Sequence, residues 1–241
     1  MRFNHLPIIL GLTTTAAFST QLAVQAETAT YQVESGVTSL SIDASALEVL
    51  ESLGLSFNSA SNTVTPANGF DFGFDILPRS STFLGTDFTF NYDGATSVLS
   101  PLTGTIEHVG SLLFEVDTEQ LALFSPLEVG NFSIGFDEGF SIRDTFTTGL
   151  PLFDLALNAN PVLEDNKDLQ IANVDVLLSQ EFANLLTNYV GSDLSEQLAG
   201  TVVGQAQISA NVSKVPEPGS VVAILAAASS ALALCRRQKA V

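Results

Sequence analysis

Few side chains in this sequence could do chemistry beyond hydrogen bonding, and that scarcity narrows the field. The chain has two histidines, one cysteine and no tryptophan. His5 lies in an apolar stretch at the start and Cys235 near the end, so the body between them holds one imidazole, His108, and no thiol. Zinc, copper and cysteine-nucleophile sites lack their usual ligands here and are nearly excluded. Phosphate loops and nucleophile elbows fare no better, because "GFDFG" has the glycines without the required Lys or Ser.

His108 follows Glu107 in "GTIEHVGSLLF". A neutral imidazole can act as a general base or bind haem iron, which makes His108 the tentative ligand of the chain. The competing reading is a histidine beside a turn, with Gly110 reversing the chain between two strands. Adjacent strand residues point to opposite faces, so Glu107 and His108 do not form a working pair. The geometry favours the second reading.

Carboxylates are plentiful, and two at a set separation would suit glycoside hydrolysis. "FDEGFSIRD" places Asp137, Glu138 and Asp144 around Arg143, and "LEDNKD" groups Glu164, Asp165, Asn166 and Asp168. Both offer oxygen ligands of the kind Ca²⁺ takes, but neither follows the D-x-[DN]-x-[DN]-G loop. Solvated loops are the commoner use of such runs, and Arg143 is expected to tether a neighbouring acid. No catalytic residue and no metal site is therefore assigned. No cofactor is expected, with haem at His108 and Ca²⁺ at the acidic runs kept as alternatives.

Residues 27–214 carry Arg79, Arg143, Lys167 and Lys214 against 25 acids, a balance of −21. Such a surface repels phosphate backbones, which excludes nucleic acid as a partner, and it repels anionic lipid as well. Spread as they are, the acids serve solubility first. Without cysteines, the domain depends on a buried core and not on disulfides.

The elements that would position these groups follow from period two. Phe70, Phe72, Phe74 and Ile76 alternate with Asp71, Gly73 and Asp75; Phe88, Phe90 and Tyr92 repeat the pattern. Phe132, Ile134 and Phe136 do so again, as do Ala206, Ile208, Ala210 and Val212. These are expected to be antiparallel strands with one wet face. Two stretches read as helical: "DASALEVLESLGL", capped by Asp43 or Ser45 and stopped at Gly54, and "DVLLSQEFANLLTNYVGSDLSEQLAG". In the second, Leu178, Phe182, Leu185, Leu186 and Tyr189 share a face, Gly191 interrupts, and Ser192 can cap a further short helix. "SFNSASNTVTPANG" reads as a flexible loop and "SKVPEP" as a short stiff stalk. The expected fold is mainly β, an antiparallel sandwich or barrel-like sheet with one or two packed helices, plus a C-terminal transmembrane helix.

The ends of the chain carry an address. Arg2 is the only charge in the first 26 residues, Leu6 to Phe18 is mostly apolar, and Val24-Gln25-Ala26 is a small-x-small site before Glu27. That is a secretory signal peptide, with cleavage expected after Ala26 by signal peptidase. At the other end, Gly219 to Cys235 contains no charge over 17 residues, and Arg236, Arg237 and Lys239 follow at once. As a helix this run reaches about 25 Å, and a basic tip of this kind stays on the cytoplasmic side.

Pro216-Glu217-Pro218, an apolar run directly after it and the basic Arg236-Arg237 end together resemble the PEP-CTERM sorting signal. The resemblance covers residues 215–241. It implies recognition by an exosortase, a membrane transpeptidase-like protease, with processing near Pro216–Pro218. It further implies surface display or release and an association with extracellular polysaccharide and biofilm. A fainter resemblance covers "GTIEHVGSLLFEVDTEQLALFSPLEVGNFSI", which is similar to HtaA-type surface domains, a family that includes haem binders using Tyr and His. Only His108 is a candidate match there; Tyr31, Tyr92 and Tyr189 do not fall on that pattern.

The expected organisation is a signal peptide over 1–26, an acidic extracytoplasmic domain over 27–214 and a sorting signal over 215–241. The leading expectation is an exported, exosortase-processed, non-catalytic surface or matrix protein. It would be anchored in the membrane by its C-terminal helix and then sent to the cell surface or beyond. A haem- or small-ligand-binding module and a carbohydrate-active enzyme are the alternatives.

Overall fold

Alternating apolar and polar residues become alternating buried and exposed positions along strand after strand. The computed structural model describes residues 28–80, 85–121, 123–136, 139–187 and 195–216. The chain enters on β1 (Thr28–Ile42), a 15-residue strand long enough to serve several partners. α1 (Ala44–Ser52) follows Asp43, which is extended at the N-cap position but makes no side-chain capping bond. The helix stops at Gly54, whose φ of +94° suits a residue without a Cβ.

Next come β2 (Leu55–Ser61), β3 (Phe72–Ile76), β4 (Thr89–Asp93), β5 (Val98–Thr103), β6 (Ile106–Val109) and β7 (Ser111–Val116). They are followed by β8 (Leu127–Gly130), β9 (Ser133–Gly135), β10 (Ser141–Arg143), β11 (Pro151–Leu157), β12 (Val162–Glu164) and β13 (Asp168–Leu178). α2 (Gln180–Thr187), α3 (Ser195–Leu198) and β14 (Val202–Lys214) complete the described chain.

Pairing runs from β1 through β3, β6, β9, β10, β11, β13 and β14 and back to β1, always antiparallel. The circuit is a closed eight-stranded barrel, and closure leaves these strands no free edge. β1 makes this possible by dividing one side between two partners. Its Thr28–Gln32 half pairs with β4, and Gly36–Leu40 pairs with β3. β4 and β5 extend the sheet on that side, and β12 extends it from β13. β2, β7 and β8 form a separate three-stranded antiparallel sheet. The mainly-β antiparallel fold with few helices is as the sequence pattern implies, and the barrel is the form it takes.

The core follows the predicted alternation. Phe74, Ile76, Phe88, Phe90, Tyr92, Phe132, Ile134, Ala206, Ile208, Ala210 and Val212 are all buried. Rings stack in a run inside: Phe88 lies 4.5 Å from Phe136, and Phe136 lies 4.5 Å from Phe140, centroid to centroid. Full burial of each such side chain stabilises by about 1.5–3 kcal/mol.

Several local expectations are corrected. Leu178 ends β13 and is not part of a helix face; its backbone pairs with Phe153. The helix begins two residues later because the buried Ser179 caps it, its Oγ accepting from Phe182 N at 3.0 Å. The "SFNSASNTVTPANG" stretch is not a loop throughout. Pairing with β7 makes its first half β2, and Val64 bridges to Gly73. Gly110 does not reverse the chain. β6 and β7 run on through it, opposite β9 and β8, so one long two-stranded ribbon passes from the barrel into the small sheet. Gly110 has φ +121°, and a Cβ there would come within 2.9 Å of the Phe74 ring. Of "SKVPEP", Ser213 and Lys214 belong to β14, and Val215 N donates to Thr30 O at 2.8 Å.

Tyr189, Gly191 and Ser192 lie outside the described residues, as do the signal peptide with Ala26 and the apolar run 219–235. Among the described residues no helix is long and apolar enough to cross a membrane.

Candidate functional site

The strand β6 divides its side chains between two environments. Ile106 and His108 point into the barrel, while Glu107 points to the outer face. The separation of Glu107 from His108 read from the strand period is what the fold shows.

Inside, His108 is 2% exposed. Its Nδ1 lies 2.9 Å from the Phe132 carbonyl oxygen, which can only accept, so Nδ1 carries the proton. Nε2 is then the acceptor for Thr38 Oγ1 at 2.7 Å. Burial lowers the ring's pKa to about 4, against the opposing pull of backbone hydrogen bonds with Phe132 and Ile106. The imidazole is neutral at pH 7 and both nitrogens are engaged. The cavity beside it measures about 20 Å³ and is lined by Thr38, Phe74, Phe132, Ile134 and Phe153 among others. That is room for one water molecule and not for a haem. The two described tyrosines are placed elsewhere: Tyr31 donates to Asn166 Oδ1 at 2.7 Å and Tyr92 to Pro161 O at 3.2 Å. In this arrangement His108 ties β6 to β1 and offers no nitrogen to iron.

Outside, the register of three strands assembles a row that the linear sequence does not display. Glu107 on β6 is opposite Ser133 on β9, and Ser133 is opposite Arg143 on β10. These three positions line an open groove of about 810 Å³ together with Asp87, Thr105, Asn131, Asp144 and Thr145. Glu107 Oε1 accepts from Ser133 Oγ at 2.7 Å and from Thr105 Oγ1 at 2.5 Å. Asp87 Oδ1 accepts from the backbone N of the same Thr105 at 2.8 Å. Two carboxylates are thus held on either side of one threonine. Across the groove, Arg143 Nη1 donates to the Gly149 carbonyl at 2.5 Å.

Of the acids in its run, Asp144 is the one among the described residues, and Arg143 does not tether it. Asp144 is fully buried and faces its own loop, accepting from Gly130 N at 2.8 Å, Phe146 N at 2.9 Å and Thr148 Oγ1 at 2.7 Å. Its role is to shape the turn that carries the groove wall. In the other acidic run, Glu164 and Asp168 pair across a tight hairpin turn in which Asp165 and Asn166 have positive φ. Asp137 and Glu138 lie outside the described residues. Among the described residues no three His, Cys, Asp or Glu side chains gather as a metal site. Of the sorting-signal positions, Pro216 is described and exposed, while Glu217, Pro218, Arg236 and Arg237 lie outside.

Period two alone puts Thr105, Glu107, Ser133 and Arg143 on outward faces, and that was the available signal. Bringing them together required the strand order, which the sequence pattern does not contain.

Fold and site define a closed antiparallel β-barrel with a histidine-pinned interior and, on its outer wall, a groove that carries Asp87, Glu107 and Arg143. Comparison of the chain with protein-family models, with curated proteins and with solved structures finds no match in any of the three.

Proposed function

We propose that this is an exported, non-catalytic surface or extracellular-matrix protein, cut by signal peptidase after Ala26 and by an exosortase near Pro216–Pro218, and associated with extracellular polysaccharide. The observation that carries the reading is the order Pro216-Glu217-Pro218, uncharged apolar run, Arg236-Arg237 at one end of a chain whose other end reads as a signal peptide. The fold is consistent with cutting at both places. β1 opens at Thr28 and β14 closes at Lys214, and the two strands pair along their length. Val215 N bonds Thr30 O at 2.8 Å, so the two ends of the barrel lie side by side. Both cuts fall outside the strand pair and leave every barrel strand whole.

The test is the intact mass of the protein purified from its native host, with both termini located. A start at Glu27 and an end within Pro216–Pro218 are expected. Retention of "CRRQKAV" would overturn exosortase processing and with it the main support for a polysaccharide association.

A further inference from the structure

We infer that the groove over β6, β9 and β10 binds a neutral saccharide. Its hydroxyls would donate to Glu107 and Asp87 and accept from Arg143. That the saccharide belongs to an extracellular polymer rests on the export reading above; the binding chemistry does not.

The row Glu107–Ser133–Arg143 sets the spacing. Neighbouring strands lie about 4.8 Å apart, so an acceptor and a donor stand on strands roughly 10 Å apart at the backbone, with Ser133 between them. Glu107 and Asp87 each have one oxygen held by Thr105, which fixes where the carboxylates point. Arg143 is anchored through one nitrogen by the Gly149 carbonyl. Fixed polar groups of both kinds, in a groove of about 810 Å³, are what a small polar ligand requires.

Charge selects the ligand class. A cationic peptide would gain from the two carboxylates but meet Arg143 between strands. An anion would find Arg143 but be opposed by Glu107 and Asp87, and by the domain's balance of −21. A lipid tail would have to desolvate Glu107, Asp87 and Arg143 without giving any of them a hydrogen-bond partner. A saccharide satisfies both sides, since one of its hydroxyls can donate to a carboxylate while another accepts from the guanidinium. Phe146 offers an exposed aromatic ring in the same loop. It follows the lining residue Thr145 and is 52% exposed, and such a ring suits the C–H face of a sugar.

The experiment is calorimetric titration of the full-length protein in detergent with linear neutral tetrasaccharides of glucose, mannose, galactose and xylose, alongside tetralysine and polygalacturonate. At least one tetrasaccharide should bind saturably, and Arg143→Ala should weaken it at least tenfold. Phe146→Ala should weaken it several-fold. Both side chains are exposed, so these variants should keep the wild-type thermal midpoint. The inference is overturned if no tetrasaccharide binds, if only tetralysine or polygalacturonate binds, or if neither substitution changes the affinity. Correct processing with no saccharide binding would sink the groove and leave surface display standing. Saccharide binding, with protein purified from the native host found to retain "CRRQKAV", would leave the groove standing and sink exosortase processing.

Discussion

Thr38 and His108 stand 70 residues apart in sequence and meet inside the barrel, Thr38 Oγ1 lying 2.7 Å from Nε2 of the ring. The bond joins β1 to β6, which are separated in the sheet by β3, so it crosses the interior as well as the wall. With Phe132 O fixing the other nitrogen, the imidazole is locked in one tautomer and one protonation state. Burying polar atoms in an apolar barrel is tolerable only because every one of them is paired.

That locking makes the domain sensitive to acid. The folded ring titrates at about 4 and the unfolded one at the ordinary 6.5. Above 6.5 neither state binds the proton and nothing is lost. Between 6.5 and 4 only the unfolded chain binds it, so stability falls as pH falls, by about 1.4 kcal/mol per pH unit and about 3 kcal/mol over the window. Urea midpoints measured at pH 7, 6 and 5 should show this slope. His108→Gln should start less stable at pH 7 and lose less on acidification. Parallel slopes for the two proteins would refute the assignment, and His108 is the only histidine in 27–214 to confuse with it.

Asp144 is the strongest single prediction for the groove wall. Its carboxylate gathers the amides of Gly130, Phe146, Thr147 and Thr148, joining β8 to the loop between β10 and β11. Asp144→Ala would leave those donors unpaired in a buried turn, at a cost of about 2–4 kcal/mol. Chemical denaturation should show the loss, and proteolysis should begin within residues 144–150. Asp144→Asn, which keeps one acceptor oxygen, should fall between the two.

Gly104 packs closely against Asp87, a lining residue of the same groove. Its φ is +82°, and a Cβ there would sit 2.3 Å from Asp87 Oδ1 and 2.6 Å from Asp87 O. Gly104→Ala is expected to cost about 1–3 kcal/mol from backbone strain alone, and to displace the Asp87 carboxylate from Thr105. The thermal midpoint reads the first effect. The second should appear as loss of the tetrasaccharide binding proposed above.

How much of this could be read in advance depended on the distance over which each feature is decided. The faces of β3, β4, β9 and β14 are local, and Phe74, Phe90, Ile134 and Ile208 fell inward as their spacing required. β2 was hidden because "SFNSAS" has the composition of a loop, and it is pairing with β7 that makes it a strand. Leu178 fitted a helical spacing by accident, since a strand that runs straight into a helix offers apolar residues to both periods. Barrel closure depends on Tyr31 meeting Lys214 and Ile42 meeting Gly204, contacts that span most of the domain. The groove shares that difficulty: Glu107, Ser133 and Arg143 become neighbours only once the order β6-β9-β10 is known.

The ends of the barrel yield the last prediction. The buried core begins at Ala29 and ends at Val212, and Ser213 Oγ donates to Glu34 Oε1 at 2.6 Å beside the final strand pair. That bond is the largest cause holding the Glu34 carboxyl below its ordinary range. A chain of residues 27–216 retains all of this and should unfold within about 0.5 kcal/mol of the full-length protein, because every described strand pair and buried side chain lies within it. Ending the chain at residue 208 removes the buried Ala210 and Val212 and the pairs Val33–Val212 and Tyr31–Lys214, which close the barrel at that end. Burial of the two side chains alone is worth about 2–4 kcal/mol, and the lost ladder with β1 and β13 adds to it. The shorter chain should therefore fail to give a cooperative thermal transition where the longer one gives a sharp one. If 27–216 itself melted early, residues beyond Pro216 would be part of the fold, and removing them near Pro216–Pro218 could not yield a stable displayed domain.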